Sequence, residues 1–296
     1  MSETSAPAFL ATPRAAARGI ARLADLGRRT LVMGILNATP DSFSDGGRFA
    51  DVERALAQAE RMIGEGADVI DIGGESTRPG HEPVPGEVEQ ARVVPVIRRL
   101  AETAPVPISI DSHKASTAAA ALAAGATIVN DVWGLSRDPD MARVAAEFGA
   151  PVIVMHNRET PDAAIDTIAD QLAFFRRAID TALAAGVREE DVIVDPGIGF
   201  GKTFEQNVET LARLDELTAL GRPILLGTSR KSMIGRILDL PPDERLFGTL
   251  ASNVAGILSG AAIVRVHDVR PHVEAGRVAD AIREARDRRP AGGTRP

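Results

Sequence analysis

From Thr30 onward the chain alternates short β-branched apolar runs with longer stretches of helical periodicity, and this alternation restricts the fold more than any other feature. Eight runs read as strands: Leu31 to Asn37, Asp68 to Gly74, Pro107 to Asp111, Thr127 to Val132, Pro151 to His156, Asp191 to Asp195, Pro223 to Ser229 and Ala262 to Asp268. Helical stretches separate them, among them VERALAQAERMIGEG before the second, ASTAAAALAAG after the third and Ala163 to Gly186 after the fifth. Several end in glycine ahead of an Ala-aliphatic run, at Gly66, Gly125, Gly149 and Gly186, where a left-handed cap costs least without a Cβ. Strands apolar on both faces and joined by helices make a covered parallel sheet, and right-handed crossovers curl eight such units into a closed barrel. The expected fold is α/β, a single (β/α)8 TIM barrel over residues 30–289. A short helical extension over 1–29, around Arg14 to Leu26, precedes it and a flexible tail over 290–296 follows it. An open doubly wound sheet is the alternative.

Composition narrows the function. At 44% hydrophobic and 25% charged, the 296 residues suffice for one core of the roughly 250 residues such barrels use. The chain has no cysteine, which excludes a disulfide scaffold, a thiol nucleophile and thiolate metal sites. A net charge of −7, 3% aromatics and no tyrosine argue against nucleic acid as the main partner, though not against an anionic small molecule in a locally positive pocket. The first twenty residues lack an apolar core behind a basic start, and no apolar run approaches the ~20 residues of a membrane helix. The expectation is a cytoplasmic protein with no membrane partner.

Polar residues fall at one end of the predicted strands: Asn37, Glu75 and Ser76, Asp111, Asn130, His156, Asp195, Ser229 and His267. In a barrel these ends converge on one mouth, where active sites are built. Each alone reads equally well as a loop opener or helix cap. A carboxylate or amide within an apolar strand is different, since burial without partners costs about 1–3 kcal/mol or more. Asp111, Asn130 and Asp195 thus offer two carboxylates and an amide around a common axis, suited to a flat nitrogen-rich heterocycle, with Lys231 of SRKS a further donor. In VRVH, Arg265 and His267 alternate with valine and share a face next to Asn37 of the first strand, an arrangement suited to an anion and Mg2+. The alternative for Arg265 is a structural ion pair with Asp268.

Three suggestive patterns fail. GIGFGKT (Gly197 to Thr203) has three residues between its outer glycines where a nucleotide P-loop has four. No G-x-G-x-x-G joins a strand to a helix, and the five histidines form no close ligand pair, so neither a dinucleotide fold nor a zinc enzyme is indicated. The loops Asn37 to Gly47 and Gly73 to Glu87 are long, polar and rich in Gly, Pro and Ser, in the manner of mobile lids.

At these residues the sequence resembles the dihydropteroate synthase family of folate biosynthesis. Seven segments carry the resemblance in chain order: MGILNATPDSFSDGG, GADVIDIGGESTRPG, ISIDSHK, IVNDV, DPGIGFGK, TSRKSMIG and RVHDV. It implies a pterin-binding TIM barrel and a transferase that joins 6-hydroxymethyl-7,8-dihydropterin diphosphate to 4-aminobenzoate, releasing diphosphate. It also implies that Asp111, Asn130, Asp195 and Lys231 hold the pterin, with Met155 and Phe200 lining it. Asn37 is implied to bind Mg2+. Arg265 and His267 are implied to take the diphosphate with Thr77 and Arg78, and Ser232 to receive the aminobenzoate carboxylate. Asp111, Lys231, Arg265 and His267 are the implied catalytic groups. Sulfonamides act on this family as aminobenzoate mimics, and its members are usually homodimers, here through late helices such as Glu244 to Gly260. Ala38 and Ser112 stand where the family usually has valine and threonine, and neither change removes a functional group. A pterin-dependent methyltransferase, or a catalytically silent pterin-binding paralogue, is the alternative; neither has reason to retain STRPG and SRKS together.

Overall fold

The computed structural model of the protein describes residues 23, 26–39, 47–75 and 83–288. Most of the expected helix at Arg14 to Leu26, the central parts of the two long loops (40–46 and 76–82, with Thr77 and Arg78) and the tail 290–296 lie outside the described residues.

Eight parallel strands close into a barrel in sequence order: β1 Leu31–Asn37, β2 Val69–Gly73, β3 Ile108–Asp111, β4 Ile128–Asp131, β5 Val152–Met155, β6 Val192–Asp195, β7 Ile224–Leu226 and β8 Ala261–Val266. β1 pairs with both β2 and β8, so no sheet edge is left open. Helices alternate with them: α1 Gly47–Gly64, α2 Gly86–Thr103, α3 Ala115–Ala124, α4 Met141–Phe148, α5 Thr167–Ala184, α6 Phe204–Ala212, α7 Ser232–Leu238, α8 Leu246–Leu258 and α9 Val269–Asp287. None of the described helices is long and apolar enough to cross a membrane. The closed barrel excludes the open doubly wound sheet.

Two-residue alternation along each strand divides the core. One set, with Ile70, Ile72, Ile110, Val129, Val194 and Val264, packs outward beneath the helices. The other faces into the barrel and forms a separate apolar plug of Leu31, Met33, Val69, Ile128, Ile153, Ile193, Leu225, Ala262 and Ile263, against which Leu23 and Leu26 pack. At the plug end, Arg29 bonds Asp68, Asp68 accepts from Val32 N at 3.0 Å, and Thr30 bonds Asp280 of α9.

The glycines expected to stop helices, Gly66, Gly125, Gly149 and Gly186, all have positive φ. At Gly125 (φ 119°) the need is also steric, because a Cβ there would lie 2.5 Å from the Ala101 methyl of α2. Only β1 has its expected bounds; the other strands are trimmed or shifted by one or two residues, and β7 is shortened most. β7 ends at Leu226 rather than Ser229, with an irregular register against β8. Thr228 there bonds Ser252 and Asn253 of α8, so Gly227 to Arg230 leave the sheet in a turn.

Candidate active site

Two residues beyond four of the plug residues, the same alternation brings polar side chains into a second inward layer. Val69, Ile128, Ile193 and Ile263 are followed on their strands by Asp71, Asn130, Asp195 and Arg265; Asp111 stands in the same layer on β3. Strand register sets their heights, with Asn37 opposite Gly73, Gly73 opposite Asp111 and Asp111 opposite Asn130. On the adjacent pair β5 and β6, Met155 stands opposite Asp195.

The layer is tied together by Arg265. Its Nε donates to Asp71 Oδ2 and its Nη2 to Asp111 Oδ2, each at 2.6 Å. Asn130 Nδ2 donates to the same Asp71 oxygen at 3.0 Å. Asp71, fully buried, therefore orients a cation from β8 and an amide from β4 at once. Its role was missed in the sequence, although the signal was present: a carboxylate inside the apolar run VIDIG is as anomalous as Asp111 in ISID. The ion pair of Arg265 with Asp268 does not form, since Asp268 is bonded by Arg230 at 2.6 Å. The reason is directional: Arg265 points into the barrel, where the two carboxylates lie.

Burial pushes the Asp111 carboxyl up to about 7, opposed by Arg265 and reinforced by Asp71. Burial also works against the charge of Arg265, but Asp71 and Asp111 outweigh it and hold its pKa above the usual value. Among the described residues, Asp111 Oδ1 and Asp71 Oδ1 are buried acceptors with no hydrogen-bond partner. Such groups cost about 1–3 kcal/mol each and are met in folded proteins chiefly where a ligand or water completes them.

Beside this layer, Asp195 Oδ1 accepts from Gly197 N at 2.8 Å, and burial raises its pKa against the pull of Lys231. Burial lowers Lys231 to about 8, opposed by Asp195. The ammonium of Lys231 donates to Ile198 O and lies 4.5 Å from the centroid of the Phe200 ring. Met155 is buried on the neighbouring strand end. The structure thus brings Asp111, Asn130, Met155, Asp195, Phe200, Lys231 and Arg265 to one mouth. His267 shares a hydrogen bond of 2.9 Å with Ser229, Ser232 is exposed at the first position of α7, and Asn37 is half-buried at the end of β1. Glu75 is engaged elsewhere, by Lys114, which also bonds Glu89 at 2.9 Å.

Behind the mouth lies a second charged cluster. His156 Nε2 bonds Asp170 at 2.8 Å, its Nδ1 bonds Lys202 Nζ at 2.8 Å, and Arg158 also bonds Asp170. Lys202 of GIGFGKT turns back into its own loop, so the structure agrees that this is no phosphate-binding loop. Burial, then the neighbouring ammonium, lowers His156 to about 4, with Asp170 opposing.

Three comparisons place this geometry. Residues 33–267 match the profile of the family described as pterin binding enzyme. The chain is 51% identical over 259 residues to a dihydropteroate synthase of Clostridium beijerinckii, covering 87% of this chain and 96% of that one. A crystal structure of the Clostridium difficile dihydropteroate synthase with pteroic acid superposes with a TM-score of 0.86 at 52% identity, over 87% of this chain and 98% of that one. A Xanthomonas albilineans dihydropteroate synthase with 4-aminobenzoic acid gives 0.82 at 42% identity, over 88% and 94%.

The neutral state of His156 has a thermodynamic consequence. Its pKa is about 4 folded against 6.5 for a free imidazole, so between these values the unfolded chain binds the extra proton. The stability this site contributes is complete above pH 6.5 and is lost as pH falls toward 4. The difference in urea unfolding free energy between the native protein and His156→Gln should shrink by about 3 kcal/mol between pH 7 and pH 4; a constant difference contradicts a buried neutral imidazole.

Proposed function

The chain belongs to the dihydropteroate synthases of the pterin-binding enzyme family, and on that premise we propose how its own residues perform the reaction. The protein is a transferase that condenses 6-hydroxymethyl-7,8-dihydropterin diphosphate with 4-aminobenzoate to 7,8-dihydropteroate and diphosphate. The observation that carries the assignment of roles is the polar layer on the apolar plug, with the unpartnered Asp111 oxygen within it.

In this reading the pterin lies flat against the polar layer. Asp111, Asn130 and Asp195 receive and supply its in-plane hydrogen bonds, Lys231 donates to a ring nitrogen or carbonyl, and Met155 and Phe200 cover its faces. Arg265 spends two of its five N–H groups on Asp71 and Asp111, leaving others for the diphosphate. His267 assists it. Thr77 and Arg78 are assigned to the same anion by the family resemblance. Ser232 takes the aminobenzoate carboxylate at the start of α7.

The family also implies Mg2+. The donor set fits this ion: Asn37 offers one neutral carboxamide oxygen at the mouth, and the described residues form no His, Asp and Glu cluster that could enclose a metal alone. Mg2+ commonly takes one or two protein oxygens and completes its shell with water and substrate phosphates. When bound it neutralises charge on the departing diphosphate.

The chemistry is displacement at the pterin methylene. The carbon–oxygen bond to diphosphate breaks, the arylamine nitrogen forms the new carbon–nitrogen bond, and that nitrogen releases a proton. Arg265 and His267 stabilise the leaving oxygens, while the Asp111 carboxylate stabilises positive charge developing on the pterin.

The protein mixed with the pterin diphosphate, Mg2+ and 4-aminobenzoate should release diphosphate only when the aminobenzoate is present. Asp111→Asn should lower turnover by about a hundredfold and diphosphate affinity by less than about threefold. Release without aminobenzoate, or unchanged turnover in the variant, contradicts these assignments.

Cytoplasmic location, the unit boundaries 1–29, 30–289 and 290–296, and a homodimer belong to the same proposal. The dimer is supported by an apolar patch where α7 packs on α8: Phe247 is 81% exposed, with Ile237 and Leu238 exposed beside it. The native protein should sediment as a dimer and Phe247→Asp as a monomer; a native monomer contradicts association through this face.

A further inference from the structure

The loop from Gly197 to Thr203 folds around its own lysine. Lys202 Nζ donates to Gly197 O at 3.1 Å, to Phe200 O at 3.2 Å and to His156 Nδ1 at 2.8 Å, with His156 O a longer, further acceptor at 3.5 Å. The third acceptor requires a particular imidazole. Nδ1 must present its lone pair, so the ring proton lies on Nε2 and is donated to Asp170 Oδ2 at 2.8 Å. Asp170 is in turn held by Arg158. A continuous line of bonds therefore runs from Asp170 on α5 through His156 and Lys202 to two carbonyls of the loop after β6.

Those carbonyls bracket the part of the loop that meets the active site. Ile198 supplies the carbonyl that accepts from Lys231, and the Phe200 ring lies under the same ammonium. The loop has little room to settle elsewhere. A Cβ on Gly197 (φ 66°) would come within 2.0 Å of His156 O, and Gly199 N is held by Asn207 Oδ1 at 2.5 Å. Lys202 itself is buried beneath the loop and belongs to none of the reacting groups.

We propose that Lys202, oriented by His156 and Asp170, is a positioning residue for the pterin subsite: it fixes the Ile198 carbonyl and the Phe200 ring, and through them the ammonium of Lys231. The inference rests on the reading above that Phe200 and Lys231 hold the pterin ring. It adds a buried lysine that never touches substrate but sets where two substrate contacts stand.

The test is steady-state kinetics on Lys202→Met, Phe200→Ala, Lys231→Met and the Lys202→Met/Phe200→Ala double variant, each with the other substrate saturating. Lys202→Met should raise KM for the pterin diphosphate about tenfold and leave KM for 4-aminobenzoate within about twofold. The double variant should exceed Phe200→Ala by clearly less than the tenfold of Lys202→Met, because part of the effect of Lys202 runs through Phe200 and the rest through the Ile198 carbonyl and Lys231. Equal changes in both KM values, or full additivity, would mean a general loss of structure and overturn the proposal. His156→Gln, which keeps an acceptor for Lys202 and a donor for Asp170, should hold the pterin KM within about threefold of native, whereas His156→Leu should behave like Lys202→Met. This pair decides the matter if Lys202→Met does not fold, and equal behaviour of the two His156 variants overturns the proposal. If Lys231→Met and Phe200→Ala leave the pterin KM unchanged, the pterin reading itself fails and the proposal with it. If they raise it and Lys202→Met does not, only the positioning role is lost.

Discussion

A guanidinium cannot be buried inside a closed barrel without nearly full compensation, and the arrangement of Arg265 with Asp71 and Asp111 is how this chain supplies it. Removing one partner from such a cluster leaves a buried charge uncompensated, which typically costs several kcal/mol. The cluster thus constrains its surroundings. Below it, the apolar plug keeps water from the carboxylates and sets the layer's height. Around it, strand register decides which side chains share its level. Above it, the unpartnered oxygen of Asp111 remains for a ligand to complete.

The second cluster obeys the same physics with different parts. Lys202 is more buried than Arg265, and its compensation comes from carbonyls and a neutral imidazole in direct contact. An anion would bind such a lysine in a phosphate loop. Here two loop carbonyls and the His156 ring take its protons, so on the proposed reading the group stiffens the site instead of binding substrate. Arg265 is different: its partners are carboxylates of the site itself, and it keeps N–H groups for an incoming anion. Two buried basic side chains a few strands apart thus serve opposite ends, one chemical and one mechanical.

Much of this was legible in the sequence because it rests on period. Apolar runs two-sided enough for a covered parallel sheet gave eight strands, and β1 matches its expected bounds from Leu31 to Asn37. Polar residues in apolar strands marked Asp111, Asn130 and Asp195, all of which lie in the polar layer. Asp71 carries the same mark, but it lies two residues before the strand's end and was passed over for the residues at the tip. The partner of Arg265 was not legible, because Asp71 and Asp111 are 194 and 154 residues away and only barrel closure brings them near. Asp268 is closer in sequence, yet it serves Arg230. Nor could spacing reveal that Lys202 turns inward or that β7 stops at Leu226, since both depend on backbone turns set by tertiary contacts.

On the proposed reading, Asp71 sets the arginine and the amide assigned to the substrate. Asp71→Asn keeps size and a hydrogen-bonding oxygen while removing the charge, so it isolates that role from packing. With cooperative unfolding retained, kcat/KM for the pterin diphosphate should fall about tenfold or more, as expected for misdirection of groups that bind and stabilise the leaving diphosphate. An unchanged or increased kcat/KM in a folded Asp71→Asn protein would contradict it.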